Sequence, residues 1–413
     1  MKTPQADAAV IGGGAAGLMA AAMLAERGAA VLLIEPNRVL GRKLRITGKG
    51  RCNLTNNCDT RGFLENVPRN ARFLHSAVSR FGPQETMAFF ERLGVPLKTE
   101  RGNRVFPAGD SAHALAGALE RYGRELGVRL LNKRVTAINA AGGVLSGLEA
   151  EDTRIECGAA ILCTGGASYP GTGSTGQGYG LAERLGHSII APRASLVPLV
   201  SDDAYCAEMQ GFSLKNVTAR VYDENNKRVF EELGELLFTH FGVSGPLVLS
   251  ASAHIRDFCA HRYRLSIDLK PGLDARRLDE RIRRDFKKYA NRDFANALHG
   301  LAGRAMIPVL VRLSGIPGET KVHSVTREQR RALVSLFKGF PVSISGPRPI
   351  AEAIITSGGV DTREIDPKTM ASKIVSGLYF AGEIIDVDAY TGGFNLQIAW
   401  STAYAAAQGA ACR

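Results

Sequence analysis

Seven cysteines are spread over 413 residues, at Cys52, Cys58, Cys157, Cys163, Cys206, Cys259 and Cys412, with no C-x-x-C pair and no zinc-ligand spacing. That argues against a disulfide scaffold or a structural metal and for a reduced, cytoplasmic setting. No uninterrupted apolar run is long enough to span a bilayer. Nothing at the start reads as a secretory signal, because only Lys2 precedes an apolar segment that glycines break up. Internal repeats and low-complexity linkers are also missing. The length exceeds what one simple core needs, so two or three domains are expected.

Acidic residues are scarce in two places. Residues 37–61 carry seven Lys and Arg against one acid, and residues 255–350 carry twenty against nine, local balances of +6 and +11 that exceed the chain's formal +12 and leave the rest of it net negative. The stretch "GRKLRITGKGRCNLTNN" (41–57) has five basic side chains, three glycines and no acid. It has neither helical nor strand periodicity. The larger basic region could attract a polyanion such as RNA, or could be a solvated arginine-rich helical face.

The most informative segment is "ADAAVIGGGAAGLMAAAMLAERGAAVLLIEP". An apolar run at 8–11 reads as a buried parallel strand, an alanine-rich helix runs to Gly28, and a second strand at 30–34 ends on Glu35. Gly12, Gly14 and Gly17 form G-x-G-x-x-G: the first permits the turn, the second lets a pyrophosphate approach, the third lets helix and strand pack closely. With Ala15 and Ala16 they place the free N–H groups of a helix N-terminus at the phosphates. Glu35, followed by Pro36, stands where a carboxylate accepts hydrogen bonds from an adenosine ribose. A second match at Gly171, Gly173 and Gly176 is separated from its strand by "ASYP" and has no following acid-tipped strand. It is a weak basis for a separate nicotinamide site.

The C-terminal stretch "GLYFAGEIIDVDAYTGGFNLQIAWSTAYAAAQGA" offers a strand at 378–381, then Gly382, Glu383 and Asp386. After a loop, Thr391, Gly392 and Gly393 open an apolar helix beginning with Phe394 and Asn395. An acid at such a strand end can bind a ribityl hydroxyl, and a helix N-terminus can face the edge of an isoalloxazine where reduced flavin gathers negative charge.

"VIGGGAAGLMAA", "GRKLRITGKGRCNLTN", "CTGGASYPGTGSTGQGYGLAERLGH", "LLFTHFGVSGPLVLSAS" and "LYFAGEIIDVDAYTGGFNLQIAWSTAYAA" resemble, in this order, blocks of the YhiN/BaiN-like bacterial FAD-dependent oxidoreductases. The resemblance covers essentially the whole chain. It implies an α/β fold, a Rossmann-like FAD-binding domain of the two-dinucleotide-binding type, interrupted by a β-rich, barrel-like domain with a small helical insertion. The boundaries expected are 1–192 and 346–413 for the FAD domain, 193–272 and 320–345 for the β-rich substrate domain, and 273–319 for the helical basic insertion. By resemblance Arg42 and Lys43 lie along the pyrophosphate and ribityl chain. Val135 passes near the adenine, Thr164 and Gly165 belong to the cofactor site, and Lys49 and Arg51 face substrate or reduced flavin.

The resemblance implies FAD, with NADH or NADPH as transient hydride donor. Activities in the family include reduction of a C=C bond conjugated to a carbonyl, in steroid-like enones and in a ribosomal RNA uridine, and oxidation of a small amine. The small-molecule enone is the leading expectation, uridine in RNA the alternative, and amine oxidation or a flavin-bound redox sensor the further ones. Reduction needs an acid to protonate the α carbon. The candidates are Cys52, its thiol surrounded by cations, His240 in "FTHFGVSGP", and Tyr390 beside the flavin-facing helix.

Overall fold

The computed structural model describes residues 5–255, 258 and 262–411, so Cys259 and Cys412 lie outside the described residues. The chain forms two compact units. One comprises residues up to Ser195 together with Pro349 onward, and the other runs from Leu196 to Arg348.

The first unit is organised on a parallel sheet. Strand β1 (Gln5–Ile11) pairs with β2 (Val31–Ile34) on one side and with Thr153–Leu162 on the other. Arg129–Leu131 extends the β2 side, and Leu378–Phe380 extends the other, all in parallel. An antiparallel hairpin, Val135–Ala141 and Val144–Ala150, leads into the start of Thr153–Leu162. These central strands are continuous apolar runs because both faces are covered. Helix α1 (Ala15–Ala25) is buried on nearly every side, from Ala16 to Ala25. Its alanines allow that close packing, and the C-terminal helix (Phe394–Ala411) lies against it. The amphipathic helix Ala112–Glu125 opens on Ser111, whose hydroxyl accepts the Ala114 N–H.

The excursion to the second unit leaves and returns through an antiparallel ribbon, Ile189–Ser195 against Ile355–Val360. The second unit has a seven-stranded antiparallel sheet. Its long hairpin, Ser213–Asp223 with Arg228–Thr239, turns at "ENN". The two ends of the strand order, Phe340–Ile344 and Gly346–Pro347, are separated by one residue of chain, which brings the two edges of the sheet together. Helices Ala275–Lys288, Ile307–Ser314 and Arg327–Lys338 pack into the same apolar core. The helical run thus extends well past residue 319. Thr326 and Gln329 form a capping box that starts the last of these helices.

Candidate functional site

The proposed cofactor residues follow the carboxyl ends of the parallel strands in the first unit. Gly12 follows Ile11, Glu35 follows Ile34, Thr164 and Gly165 come shortly after Leu162, and Gly382 to Asp386 come after Phe380. In open α/β sheets this rim is where ligands bind. Sterics distinguish the glycines. A Cβ on Gly17 would lie 1.8 Å from the Gly12 carbonyl oxygen, and one on Gly12 2.7 Å from that of Cys163. A Cβ on Gly14 would meet nothing within 4 Å. Two of the three glycines are therefore required for chain packing, while the third borders open space at the uncapped N-terminus of α1.

Glu35 is tied into this turn. Its carboxylate accepts the Gly13 N–H at 2.7 Å and both the backbone N–H and the side-chain amide of Asn37. Asn37 in turn accepts from Arg42 at 2.7 Å, so half-buried Glu35 and Asn37 lead to exposed Arg42 in one polar line beside the exposed Pro36. Val135 is buried, and its carbonyl accepts from the Gln177 amide at 3.0 Å.

The basic stretch links the two ends of the chain. Gly41 donates to the Gly13 carbonyl, and Arg42–Ile46 forms a short helix. Gly48, Lys49, Gly50 and Cys52 all adopt positive φ, an unfavourable conformation for the lysine and the cysteine. Strain of this kind persists only where the surroundings impose it; here Cys52 donates back to the Thr47 carbonyl, and the residues that follow are fixed by the C-terminal helix. Trp400 donates to the Leu54 carbonyl, and Thr55 donates to Gln397 at 2.6 Å. A Cβ on Gly393 would lie 2.4 Å from the Thr55 carbonyl.

Lys43 reaches across the sheet rim to Glu383, 2.7 Å away, and donates to Ser168 at 2.6 Å. Glu383 also accepts from Ser168 and from the Thr356 N–H, while the Thr356 hydroxyl accepts the N–H groups of Ala167 and Ser168. Two residues assigned separately to the cofactor from sequence are thus ion-paired to each other. Among the described residues, Thr164 Oγ1 and Asp386 Oδ1 at this rim, and Asn53 Oδ1 in the basic stretch, are buried without a hydrogen-bond partner. With the open space at Gly14 they make a set of residues that fits a dinucleotide: free N–H groups for phosphate, carboxylates for hydroxyls, and unsatisfied polar atoms nearby.

The Rossmann-domain profile of HI0933-like proteins matches residues 6–409. The chain belongs to the HI0933-like family. The resemblance to the YhiN/BaiN-like enzymes therefore holds, and these are FAD-dependent oxidoreductases built on a Rossmann-like FAD-binding domain with additional antiparallel sheets. The chain is 32% identical over 409 residues to a Haemophilus influenzae protein named ribosomal RNA dihydrouridine synthase, covering 96% of each. It is 32% identical over 413 residues to a Clostridium scindens protein named 3-dehydro-bile acid delta(4,6)-reductase, covering 98% of each. Among solved structures, a 3-ketosteroid-delta4-(5alpha)-dehydrogenase from Rhodococcus jostii RHA1 shares the fold at TM-score 0.55 and 16% identity, over 99% of this chain and 97% of that one.

Several side chains of this HI0933-like chain stand differently from their expected places. Cys52 is fully buried, and burial pushes its thiol up to about 12. The neighbouring cations do not activate it, since desolvation of the thiolate outweighs them. Arg51 is engaged by the protein itself. It is ion-paired to Glu100 and Asp110, and its guanidinium lies 4.3 Å from the Phe106 ring centre. Lys49 is exposed. Asp386 is 2% exposed; its Oδ2 is paired with Arg69 at 2.7 Å and bonded to Asn70, while its Oδ1 is buried without a partner. Asn395 uses its amide to hold the Ala389 backbone, while Phe394 packs on Phe63. His240 is exposed at a hairpin turn of the second unit, against Phe241. Tyr390 is half-buried, two residues before Gly392. Sequence reasoning passed over Asn53, Ser168 and Thr356. Asn53 lies inside the quoted basic stretch, whereas nothing local marks Thr356.

No described helix is long and apolar enough to cross a membrane.

Proposed function

We propose that this chain is an FAD-dependent reductase that saturates a C=C bond conjugated to a carbonyl, using hydride from NADH or NADPH. What carries the reading is the convergence of the uncapped α1 N-terminus, Glu35, the Lys43–Glu383 pair and the Gly392–Gly393 turn on one rim of the parallel sheet. The names of the two relatives describe the same bond change. Dihydrouridine is uridine reduced at C5=C6, which is conjugated to the C4 carbonyl, and a 3-dehydro Δ4,6 bile acid carries C=C bonds conjugated to its C3 carbonyl.

FAD, when bound, supplies the two-electron transfer between nicotinamide and substrate. In this assignment the N–H groups after Gly14 hold the pyrophosphate and Glu35 holds the adenosine ribose. Lys43 and Glu383, kept in register by Ser168 and Thr356, line the path between them and the Gly392–Gly393 turn. The helix N-terminus at that turn stabilises negative charge. With Cys52 buried, Tyr390 is the residue on this unit assigned to deliver a proton from its phenolic oxygen to the α carbon.

Stopped-flow absorbance tests the scheme. The holoprotein is reduced anaerobically with NADPH or NADH and mixed with a 4-en-3-one steroid or with ribosomal RNA fragments. Reoxidation by either is expected; flavin reduced by an amine and reoxidised by oxygen alone, which becomes hydrogen peroxide, would overturn the reductase reading. Tyr390→Phe is expected to slow reoxidation by the conjugated acceptor about 100-fold, the scale of a lost general acid, and to leave reduction by NADPH unchanged. Equal slowing of both half-reactions would remove Tyr390 from the acid's role.

A further inference from the structure

The strained turn in the basic stretch delivers one side chain that the fold itself does not use. Gly48, Lys49, Gly50 and Cys52 turn the chain at positive φ, and Asn53 follows them, two residues before the short strand Thr55–Asn56. Asn53 Oδ1 is buried without a hydrogen-bond partner, and the side-chain amide donates to nothing among the described residues. A buried acceptor left unmade costs more than an ordinary hydrogen bond returns. The two other asparagines of the stretch are engaged. Asn56 donates to the Gly102 and Gly392 carbonyls at 3.0 and 3.2 Å, and Asn57 accepts from Gln84 at 2.7 Å.

The residues after Asn53 fix where it stands. The Leu54 N–H donates to the Val105 carbonyl at 3.0 Å, and the Leu54 carbonyl accepts from Trp400. Thr55 is pressed against the Gly392–Gly393 turn, and its hydroxyl donates to Gln397 in the first turn of the last helix. Two residues of extended chain span about 7 Å at most. Asn53 therefore lies beside the turn assigned above to the flavin ring.

A carboxamide holds one acceptor and one donor side by side, so a ligand that satisfies both must offer a donor next to an acceptor. Phosphate oxygens only accept and would leave Oδ1 unmade. Adenine has such a pair, but the adenosine end of the cofactor is assigned to Glu35. The ribityl hydroxyls are assigned to the Lys43–Glu383 pair. On the isoalloxazine, an N3–H group lies between the C2 and C4 carbonyls, and the C2 carbonyl belongs to the edge given to the helix N-terminus.

We infer that Asn53 binds the pyrimidine edge of the isoalloxazine, its Oδ1 accepting the N3–H and its Nδ2 donating to the C4 carbonyl. The inference rests on the FAD-dependent reductase reading and adds to it a cofactor-binding residue that tunes the ring. Negative charge spreads onto the C4 carbonyl when the flavin is reduced, so a fixed donor there favours the reduced form.

The test reconstitutes the full-length, flavin-stripped protein with FAD or with N3-methyl-FAD, in which a methyl replaces the N3 proton. Wild-type protein is expected to bind FAD about tenfold more tightly than the methylated cofactor, the scale of a buried acceptor deprived of its donor. Asn53→Ala is expected to bind the two cofactors equally, and to bind FAD about tenfold more weakly than wild type does. Asn53→Asp keeps an acceptor for N3–H, loses the donor to the C4 carbonyl and adds negative charge, so the midpoint potential of its bound flavin should become more negative. Flavin-free Asn53→Ala should unfold no more easily than flavin-free wild type, because the side chain has no partner to lose; this separates lost binding from a folding defect.

Three results would each overturn the inference: equal wild-type affinity for both cofactors, a preference for FAD that survives in Asn53→Ala, or an unchanged potential in Asn53→Asp. A water molecule satisfying Oδ1 in place of the flavin predicts the first of these. Tight FAD binding without discrimination would remove Asn53 from the ring and leave the reductase reading standing. That reading fails separately, if NADPH-reduced protein is not reoxidised by any conjugated C=C acceptor while the discrimination against N3-methyl-FAD persists.

Discussion

A methyl group added at Gly17 is expected to break the first unit, while the same methyl at Gly14 is expected to leave the fold intact and cost the cofactor. The Gly17 Cβ would lie 1.8 Å from the Gly12 carbonyl oxygen. Both atoms belong to backbone held between β1 and α1, so relief requires moving the helix off the sheet. Overpacking of a tight core costs about 1–3 kcal/mol and occasionally more. A clash with fixed backbone belongs at the upper end, so Gly17→Ala should lose about 3 kcal/mol or more. Gly14 has no neighbour within 4 Å of the added carbon, and its φ of −79° is accessible to alanine. Gly14→Ala should therefore change stability by less than about 1 kcal/mol, the ordinary range at a helix N-cap. Its added carbon would occupy the space assigned to the pyrophosphate, and FAD affinity should fall at least tenfold, about 1.4 kcal/mol. Flavin content per protein and denaturation of the flavin-free form separate the two effects. A Gly14→Ala protein that purifies with full, tightly held FAD would show that the phosphates lie elsewhere.

The second large effect is expected at Arg69. Asp386 is 2% exposed, and burial raises its carboxyl above the usual range, a shift that Arg69 and Asn70 oppose. One of its oxygens, Oδ1, has no partner. Removing the cation as Arg69→Leu leaves a buried carboxylate with only Asn70 to accept from, and breaking a buried pair from one side typically costs about 3–5 kcal/mol. The sign with pH follows from linkage. A carboxyl whose folded pKa is raised contributes stability below its unfolded pKa and loses it as pH rises through the folded value. Losing Arg69 raises that folded value further, so the gap between Arg69→Leu and wild type should be widest near pH 7.5 and should narrow as the pH falls and Asp386 takes up a proton. Denaturation midpoints at pH 7.5 and 5 test this. In an Asp386→Asn background the Arg69→Leu penalty should become small and independent of pH. A gap that does not change with pH would mean that Arg69 acts through packing rather than charge.

The parts of the molecule legible in its sequence are those set by short-range rules. The β1–α1–β2 fingerprint could be read because steric demands at Gly12 and Gly17 and the acid at the end of β2 recur at fixed spacing. The misread residues have distant partners. Arg51 looked free because Glu100 and Asp110 lie 49 and 59 positions away. Cys52 looked activated because its neighbours in sequence are cationic, whereas its neighbours in space are apolar. The Lys43–Glu383 pair spans 340 positions, and nothing local indicates that two residues suited to one ligand would instead meet. The last helix of the second unit is a different case. Its capping box, Thr326 with Gln329, lies beyond the boundary expected at 319, which divides one helical run between two domains.

The ribbon that brackets the second unit also determines the order in which this protein can be completed during translation. Residues 196–348 are contiguous and have their own core, so they have all their partners once Arg348 has been made. The first unit does not. Its strand Thr153–Leu162 must wait for Leu378–Phe380 to arrive, and α1 must wait for Phe394–Ala411. Throughout synthesis of the second unit, an apolar strand edge and an alanine-rich helix face therefore stay uncovered on the nascent chain, the kind of surface on which misassembly begins.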